Sequence, residues 1–427
     1  MILKINPPHF LRGRIDLPAS KSYSIRAFIV AACGGRSLII NPSDCDDALV
    51  AMNVAKALGA KITRVKKNSF KVVAFEHAPK SSRIHVKESG TVLRLILPLA
   101  SLNGKKSLIT GEGTLIGRPN LHLTTSLRKM GVDLKGRGPN ESIPIKIKGG
   151  ALRGGNIEID GTLSSQFISA LLLACPLLRE DTHLVITGHK LVSTSYITMT
   201  LQILRDAGIK IKQVDQRTFL IKGQQKYRGL RFTVPSDYGL AAFLLAAASL
   251  SKSNVSLLGH MKEDFVQSDG QILSFLHKMG VRFSKTGSAI TIKGPFPLKG
   301  GDFSLKDCPD LVPIMAVMAL FAKGRTRLLD VKHARVKESD RISDLRGELL
   351  KVGARISETE SSLIIEPQEE YRSNCLLDPH GDHRLAMAFS VLGIKLGVRV
   401  KDIACTAKSY PGFVRDLKSM GVSVSQR

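Results

Sequence analysis

The stretch VAKALGAKI at residues 54–62 ends a helical pattern at Gly59 and then alternates apolar and polar residues. Glycine just after a helix can adopt the left-handed conformation that closes the last turn, and alternation with a period of two is typical of a half-buried strand. The stretch therefore predicts a helix, a tight turn and a strand, in that order.

Five further stretches repeat this pattern along the chain. They are LRKMGVDL at 127–134, ILRDAGIKI at 203–211, FLHKMGVRF at 275–283, LLKVGARI at 349–356 and LKSMGVSV at 417–424. Successive glycines lie 72, 77, 72, 73 and 68 residues apart, so six units of this size account for nearly all 427 residues. Because a fixed period marks repeated supersecondary units, the sequence predicts six copies of one α/β unit.

Other segments supply the remaining elements of the units. Runs with strand character lie at 156–160, 183–187 and 362–367, and apolar runs with helical character lie at 165–178, 238–250 and 311–322. Six units can form one ring or two domains of three, and composition does not decide between them. The chain exceeds the roughly 250–300 residues that one core usually serves, which favours two domains. The break TVPSD at 233–237 is a suitable boundary.

Composition excludes several classes of protein. A chain with 43% hydrophobic residues is too apolar to be disordered, and its longest apolar runs, 11 and 12 residues, are too short to cross about 30 Å of hydrocarbon. The N-terminus lacks an apolar signal region, so we expect a cytoplasmic protein. Six scattered cysteines without a CxxC pair indicate neither a disulfide framework nor a zinc finger.

The net charge of +27 is compatible with a polyanionic partner such as nucleic acid. The basic residues are nevertheless spread along the chain, and only 5% of residues are aromatic, which leaves few side chains for stacking on bases. A generally basic surface is therefore the favoured interpretation, and no nucleic-acid or membrane partner is predicted.

Motifs in the first half suggest anion binding at helix starts. PASKSYSIRA at 18–27 places two cations beside a hydroxyl where a strand gives way to a helix, and DGTLSSQFISALL at 160–172 places hydroxyl and amide groups before an apolar helix. KESGTVLR at 87–94 could bring Gly90 close to a ligand. Helix capping explains the motif at 18–27 equally well on its own, and it is also the alternative for the motif at 160–172. GEGTLIGRPN at 111–120 only partly matches GxGxxG, so a dinucleotide site is rejected.

Motifs in the second half combine carboxylates with cations. They are DCPD ending at Asp310, ARVKESDRI with Lys337, Glu338 and Arg341, GDHR with Arg384, and CTAKSYP with Lys408. Each alone fits a helix cap or a solvated salt bridge. His380, Asp382 and His383 have the side chains of metal ligands, but no further cluster with suitable spacing accompanies them, so no metal site is predicted. The acidic run at 43–47 is interpreted as a helix start rather than a magnesium site.

The order of these motifs is more specific than any one of them. PASKS-x-x-x-R, SGT-x-x-R, GRP, DG-x-x-SSQF, LVS-x-x-Y, PD, RVKESDR, DHR and TAKS-x-P together resemble the EPSP synthase family, also called 3-phosphoshikimate 1-carboxyvinyltransferases, from about Pro18 to Pro411. The resemblance implies a two-domain inside-out α/β barrel built from six repeated α/β units, three per domain. It further implies an N-terminal domain at 21–232, a C-terminal domain formed by 1–20 plus 233–427, and an active site in the cleft between the domains.

The same resemblance implies the reaction and its residues. The family transfers the enolpyruvyl group of phosphoenolpyruvate to the 5-hydroxyl of shikimate 3-phosphate and releases phosphate, on the route to chorismate and aromatic amino acids. The positions implied for shikimate 3-phosphate are Lys21, Ser22, Arg26, Ser164, Ser165, Gln166, Ser193, Tyr196, Asp310 and Lys337. The positions implied for phosphoenolpyruvate are Lys21, Gly90, Arg118, Gln166, Arg341, Arg384 and Lys408.

Physical chemistry supports these assignments, because two phosphate- and carboxylate-bearing substrates are costly to desolvate without several fixed cations. We assign Asp310 as the base for the hydroxyl, and Glu338, assisted by Lys21, as the acid for the methylene carbon. No metal or organic cofactor is needed by this scheme, and a monomer is expected.

Two other readings remain. UDP-N-acetylglucosamine enolpyruvyl transferases share the fold and the donor, but they usually carry a reactive cysteine in the loop that corresponds to 111–119, where this chain has none. A polyanion-binding protein with similar units, like RNA 3′-phosphate cyclases, is the alternative from another class. The chain also departs from common family residues at Glu88, His333, Gly239 and Leu240.

Overall fold

The computed structural model of the protein describes residues 1–75, 83–261 and 265–426. Its described strands form six four-stranded sheets, one for each repeat of the sequence. The chain divides into two compact units, one made of Met1–Pro18 with Pro235–Arg427 and the other of Ala19–Val234. Each unit contains three of the sheets, and the predicted fold class of six α/β repeats is confirmed.

The elements of the unit Ala19–Val234 follow in chain order. Its helices are α1 (Lys21–Cys33), α2 (Asp46–Ala57), α3 (Gly90–Ala100), α4 (Leu121–Lys129), α5 (Ser165–Ala174) and α6 (Ser195–Asp206). Its strands are β3 (Arg36–Ile40), β4 (Lys61–Lys66), β5 (Ser69–Val73), β6 (Arg83–His85), β7 (Ser107–Thr110), β8 (Asp133–Arg137), β9 (Ser142–Gly149), β10 (Gly155–Asp160), β11 (Thr182–Thr187), β12 (Ile211–Gln213), β13 (Thr218–Ile221) and β14 (Arg231–Thr233).

The other unit has the same kinds of element. Its helices are α7 (Tyr238–Leu250), α8 (Gln271–Lys278), α9 (Val312–Leu320), α10 (Ser343–Lys351), α11 (His383–Leu396) and α12 (Phe413–Ser419). Its strands are β1 (Ile2–Asn6), β2 (Leu11–Asp16), β15 (Ser253–Leu258), β16 (Phe283–Lys285), β17 (Ala289–Ile292), β18 (Asp302–Ser304), β19 (Thr326–Leu329), β20 (Arg355–Glu358), β21 (Leu363–Glu366), β22 (Leu376–Leu377), β23 (Val398–Lys401) and β24 (Ser423–Gln426).

Every sheet has the same internal arrangement, which β10, β11, β12 and β13 illustrate. The first two strands are parallel and are joined through a helix, with Ile157 opposite Leu184. A second helix then leads to an antiparallel pair, which places the fourth strand in the middle of the sheet and the third at its edge. The repeat is therefore strand, helix, strand, helix and a terminal hairpin.

Three sheets take a strand from a distant part of the chain. Strand β2 pairs in parallel with β15, β14 pairs in parallel with β3, and β1 lies between β23 and β24. Each of these strands occupies a position in the sheet that the rest of the repeat does not supply, so every sheet has four strands. The first two strands of the chain consequently belong to the same compact unit as its C-terminal half.

The repeated glycine has the predicted turn geometry at all six positions. The φ angles of these glycines lie between 81° and 112°, in the left-handed region. After each glycine the next backbone N–H donates to the carbonyl five residues earlier, as from Ala60 to Ala55 and from Val132 to Leu127. These bonds close the helix C-terminus in the Schellman pattern and start the following strand.

In the second repeat of the unit that contains the C-terminus, two glycines allow the effect of backbone conformation to be tested separately from packing. Gly353 has a φ of 85°, whereas Gly347 lies within α10, and an added Cβ would meet nothing within 4 Å at either position. We expect Gly353→Ala to lower the free energy of unfolding by about 1 kcal/mol through backbone strain. Gly347→Ala should raise it by about 0.5–1 kcal/mol because alanine favours helix. Urea unfolding of both variants measures the difference, and equal effects would contradict the turn assignment.

The first helix of each repeat lies in the interior of its unit. In α7 and α9 every residue is buried, and in α3 and α11 nearly all are. Helices α7, α9 and α11 contact one another, and so do α1, α3 and α5 in sequence. The sheets cover these helices, which explains why the helical runs carry no polar face. No helix among the described residues has the length and apolar character of a membrane span.

Candidate functional site

Most predicted site residues lie at or near the N-termini of the interior helices. In the unit Ala19–Val234, Lys21 and Ser22 begin α1, Gly90 begins α3, and Ser164 precedes α5. The unpaired backbone N–H groups of a helix start, and the positive end of its dipole, favour anions. Lys21 lies near the first turn of α2, where its Nζ is 3.2 Å from Asp47 Oδ2.

Arg26 is a cation enclosed in the same unit without a carboxylate among the described residues. Only 1% of its surface is exposed, and its guanidinium donates to Thr200 Oγ1 at 2.8 Å and to the carbonyl of Ser22 at 3.1 Å. Its Cζ lies 5.7 Å from the ring centroid of Tyr196. Burial lowers the pKa of Arg26 to about 10. The side chain stays charged at neutral pH and retains capacity to compensate an anion.

Ser193 and Tyr196 precede and begin α6. Ser193 is buried and has a left-handed φ of 54°, a conformation that is uncommon outside glycine. Its carbonyl accepts a hydrogen bond from the backbone N–H of Tyr196 at 3.1 Å. The tyrosine carbonyl accepts from Thr200 Oγ1 at 2.8 Å, so α6 fixes these residues beside Arg26.

Gly90 owes its place to a close approach by Arg118. A Cβ at residue 90 would lie 2.9 Å from Arg118 Nη1, so any larger side chain would displace the guanidinium. The neighbouring Ser89 caps α3 by accepting from the N–H of Val92 at 3.4 Å. The start of α3 thus combines a helix cap at Ser89 with a close approach of Arg118 to Gly90.

Arg94 belongs to the SGT-x-x-R motif but was not predicted as a site residue. Its guanidinium donates to Gln166 Oε1 at 2.7 Å and to the carbonyl of Pro119 at 3.0 Å. Gln166 donates in turn to Thr91 Oγ1 at 2.9 Å. Arg94 therefore links the start of α5 to the segment after Arg118. Ser164 also caps α5, accepting from the N–H of Gln166 at 3.3 Å, while Ser165 is buried in its first turn.

Glu88 holds the loop that leads to Arg118. Its Oε2 accepts from the backbone N–H of Thr114 at 3.1 Å and from Thr114 Oγ1 at 2.6 Å. The backbone N–H of Glu112 also donates to the carbonyl of Lys87 at 2.9 Å. An acid at position 88 thus ties the loop to the start of α3.

In the other unit, Arg341 joins three carboxylates. Its Nη1 lies 2.5 Å from Asp310 Oδ1, its Nη2 lies 2.8 Å from Glu338 Oε2, and its Nε lies 2.7 Å from Asp382 Oδ2. Only 1% of the arginine side chain is exposed. Burial alone would lower the pKa of Arg341, but the negative charges of Asp382, Asp310 and Glu338 raise that pKa well above its ordinary value. The guanidinium is therefore a permanent charge.

Asp310 is shared by two arginines. Its Oδ2 also accepts from Arg384 Nη2 at 2.9 Å, and Arg384 Nη1 donates to the carbonyl of Gly239 at 2.9 Å. Burial tends to raise the pKa of Asp310, but the charges of Arg384, Arg341 and Lys337 outweigh it and hold that pKa well below 3.8. Asp310 is consequently ionised at neutral pH.

The remaining predicted residues lie in 3₁₀ turns of the same unit. Lys337 follows the turn Lys332–Val336, and Lys408, which is buried, ends the turn Ile403–Lys408. The structure thus brings Asp310, Glu338, Arg341 and Arg384 into one contact network, whereas Lys337 acts on Asp310 through its charge.

The DHR motif has structural partners of its own. Asp382 caps α11 by accepting from the N–H of Arg384 at 2.8 Å while it pairs with Arg341. His380 Nε2 lies 3.2 Å from Glu348 Oε1. Within residues 1–75, 83–261 and 265–426, no group of three His, Cys, Asp or Glu side chains is arranged to hold a metal ion. The acidic run at 43–47 leads into α2, which confirms its interpretation as a helix start.

Comparisons with known proteins agree with this architecture. The family model for EPSP synthase (3-phosphoshikimate 1-carboxyvinyltransferase) matches residues 5–417. A 3-phosphoshikimate 1-carboxyvinyltransferase from Methanococcus aeolicus is 34% identical, with 97% of this chain and 98% of the relative covered. Another from Acetivibrio thermocellus is 36% identical and covers 100% of this chain and 99% of its own length.

Solved structures show the same fold. The structure of EPSP synthase from Acinetobacter baumannii superposes with a TM-score of 0.80 at 26% identity, with both chains covered completely. The enolpyruvyl transferase NikO from Streptomyces tendae has a TM-score of 0.78 at 19% identity, with 99% of this chain and 98% of that chain covered, and shares the fold. The architecture is therefore that of the enolpyruvyl transferases. Within that class, the chain belongs to the EPSP synthase family.

Proposed function

We propose that residues at the interior helix starts of each unit serve one reaction. The protein transfers the enolpyruvyl group of phosphoenolpyruvate to the 5-hydroxyl of shikimate 3-phosphate and releases phosphate, in the shikimate pathway to chorismate and aromatic amino acids. The observation that carries the assignment of residues is the ionised Asp310 between two buried arginines, which couples a base to anion-binding groups.

Shikimate 3-phosphate is proposed to bind chiefly through the unit Ala19–Val234. Arg26, enclosed and lacking a carboxylate partner among the described residues, supports binding of the phosphate, because a buried guanidinium gains most from an anion it can contact directly. Tyr196 lies against Arg26, and its side chain can cover the apolar face of the shikimate ring. The remaining proposed contacts are Lys21, Ser22, Ser164, Ser165, Gln166 and Ser193, with Asp310 and Lys337 from the other unit.

Phosphoenolpyruvate is proposed to bind through cations of both units. In Ala19–Val234 these are Lys21 and Arg118, with the backbone of Gly90 and the amide of Gln166 as further donors. In the other unit they are Arg341, Arg384 and Lys408. Arginine suits flat, bidentate contact with phosphate or carboxylate, and a buried setting strengthens such contacts.

The proton transfers use Asp310 and Glu338, the two carboxyl groups that contact Arg341 and are proposed to exchange protons with the substrates. Asp310 removes the proton from the 5-hydroxyl group while the oxygen of that hydroxyl bonds to C2 of phosphoenolpyruvate. Glu338, assisted by Lys21, transfers a proton to the methylene carbon of phosphoenolpyruvate. The tetrahedral adduct then loses phosphate by cleavage of its C–O bond, and the departing phosphate takes the proton held by Asp310. Glu338 takes back a proton from the new methyl group, which restores the double bond and the starting state of both side chains. Side chains and substrate groups supply every step.

The low pKa of Asp310 makes it a weak base while both arginines contact it. Anionic groups of phosphoenolpyruvate compete for Arg341 and Arg384, which reduces their effect on Asp310. Substrate binding is thus proposed to raise the proton affinity of the base at the moment when the base is needed.

Glu88 offers a test of how Arg118 is positioned. We expect Glu88→Ala to raise KM for phosphoenolpyruvate about tenfold, with a smaller effect on kcat, because the loop loses charge-assisted hydrogen bonds. Glu112→Ala is the control, since its half-exposed carboxylate only approaches His85 at 3.7 Å. Steady-state kinetics of both variants provide the measurement, and an unchanged KM in Glu88→Ala would refute the role of the loop contact.

The domain limits of 21–232, and of 1–20 plus 233–427, remain our proposal for the folding units, as do a monomeric state, a cytoplasmic location and the lack of nucleic-acid and membrane partners. The substrates themselves are small anions.

Phosphate release from phosphoenolpyruvate tests the function against both alternatives. We expect release only when shikimate 3-phosphate is present, and none with UDP-N-acetylglucosamine. Release with the nucleotide sugar would instead indicate the related transferase. A salt-sensitive shift of RNA in a gel without any turnover would favour the polyanion-binding alternative.

A further inference from the structure

Asp269 is a buried carboxyl beside the proposed phosphoenolpyruvate residues that the scheme above does not use. It lies in the 3₁₀ turn Ser268–Gly270 and is 6% exposed. Its Oδ1 accepts no hydrogen bond from any described residue. An ionised carboxylate that is buried without a hydrogen-bond donor costs free energy of folding. A carboxyl group kept in such a position therefore suggests a functional role.

Gly239 makes room for this carboxyl. A Cβ at residue 239 would lie 2.4 Å from Asp269 Oδ2 and 2.9 Å from Arg384 Nη1. Carboxyl and guanidinium therefore both approach the first turn of α7 through the space that a side chain would fill. The glycine is helical, so the requirement is one of space and not of backbone conformation.

The charged and titratable groups around Asp269 come from each neighbouring element. Asp237 caps α7, Asp310 and Cys308 precede α9, Arg384 lies in α11, and Arg341 precedes α10. Burial, followed by the negative charge of Asp310, raises the pKa of Asp269 to about 7, against the opposing effect of Arg384. The carboxyl thus changes its charge within the physiological range.

Resting on the proposed function, we propose that Asp269 is a positioning residue that sets how strongly Arg384 binds phosphoenolpyruvate. When Asp269 is neutral, Arg384 is shared by Asp310 and the substrate anion. When Asp269 is ionised, it adds a second buried carboxylate close to Arg384 and repels the anion. Gly239 is the structural condition for this effect, because a side chain there would displace the carboxyl.

The sign of the pH effect follows from this arrangement. Below about pH 7 the carboxyl is protonated and binding is strong, and above it the added charge weakens binding. One buried charge near the ligand is worth roughly a factor of ten in affinity at an effective dielectric constant of about 20. Relative to Asp269→Asn, the wild-type KM for phosphoenolpyruvate should therefore rise about fivefold between pH 6 and 8, because about a tenth of the carboxyls are already ionised at pH 6 and about a tenth are still protonated at pH 8.

Titration of the substrate affects the KM of every variant equally, so its contribution cancels in the ratio of KM between two variants. Asp269→Asn and Gly239→Ala should both lose the added pH dependence of KM, while Ser268→Ala, a buried neutral neighbour, should keep it. A constant ratio of KM between wild type and Asp269→Asn across this range would show that the residue is merely structural and would overturn the proposal.

A second measurement is independent of turnover. In protein labelled with ¹³C at aspartate carboxyls, one resonance should titrate near pH 7 in the wild type and be missing in Asp269→Asn. A missing titration near pH 7 in folded wild-type protein would overturn the inference even if the enzyme is active. A titration found in a protein without turnover would instead leave Asp269 as described and refute the proposed function.

Discussion

Asp310→Asn is expected to lower kcat about 10³-fold while the protein stays folded. Arg341 and Arg384 donate to different oxygens of Asp310, so asparagine keeps an acceptor for only one of them, and it cannot take up the proton of the 5-hydroxyl at neutral pH. General bases contribute roughly 10²- to 10⁴-fold, so the loss should dominate the kinetics. KM for either substrate should change much less than kcat.

Asp302→Asn is the matched control for this variant. Asp302 belongs to the same unit, and its half-exposed carboxylate pairs with Arg327 at the surface. Steady-state rates of phosphate release, compared with thermal unfolding of each protein, separate chemistry from folding. A folded Asp310→Asn enzyme with nearly wild-type kcat would remove Asp310 from the base role.

The second large effect concerns Arg341→Met, which should destabilise the protein by about 3–5 kcal/mol at pH 7.5 and abolish turnover. The substitution leaves the carboxylates of Asp310, Glu338 and Asp382 close together without the cation that joins them. Breaking a buried ion pair from one side is costly because the remaining charge is uncompensated.

The pH dependence of this effect has a definite sign. The depressed pKa of Asp310 contributes stability that is present above pH 3.8 and is lost only as pH falls through its lower folded value. Without Arg341 the pKa of Asp310 rises. Asp310 of the variant therefore takes up a proton at a higher pH than Asp310 of the wild type, and this protonation removes part of the charge repulsion that destabilises the variant. The stability difference between wild type and variant should therefore shrink from pH 7.5 to pH 5.

Arg327→Met is the control for Arg341→Met, since Arg327 pairs with Asp302 at the surface, where a salt bridge contributes little, and its loss should destabilise the protein far less. Denaturant unfolding at both pH values gives the comparison. A loss in Arg341→Met no larger than in Arg327→Met would contradict the central position of Arg341 in the network.

Local features of the fold could be predicted from the sequence because they depend on neighbouring residues. The six glycine turns follow from backbone conformation, and the predicted helix at 238–250 has the bounds of α7. The helix predicted at 165–178 ends earlier, at Ala174, and continues as a 3₁₀ turn that contains Pro176. Proline lacks the N–H and clashes with the preceding turn, which a hydrophobic pattern does not show.

Partners within the site could not be predicted in the same way. Arg341 contacts Asp310 and Asp382 from 31 and 41 positions away, and Arg94 contacts Gln166 from 72 positions away. Such pairs depend on which helix N-termini the fold brings together. Sequence patterns indicate the hydrophobic period of an element and the cap of a helix, but not its distant contacts. Asp269 was missed for this reason, because QSDG has the composition of an ordinary surface turn.

The most direct test of the account is ³¹P NMR of one mixture of the protein with phosphoenolpyruvate and shikimate 3-phosphate. We predict that the phosphoenolpyruvate resonance is replaced one for one by inorganic phosphate, while the second phosphate ester is retained in a new product. Omission of shikimate 3-phosphate should leave phosphoenolpyruvate intact. Phosphate formed without the acceptor, or no phosphate with both substrates present, would contradict the account.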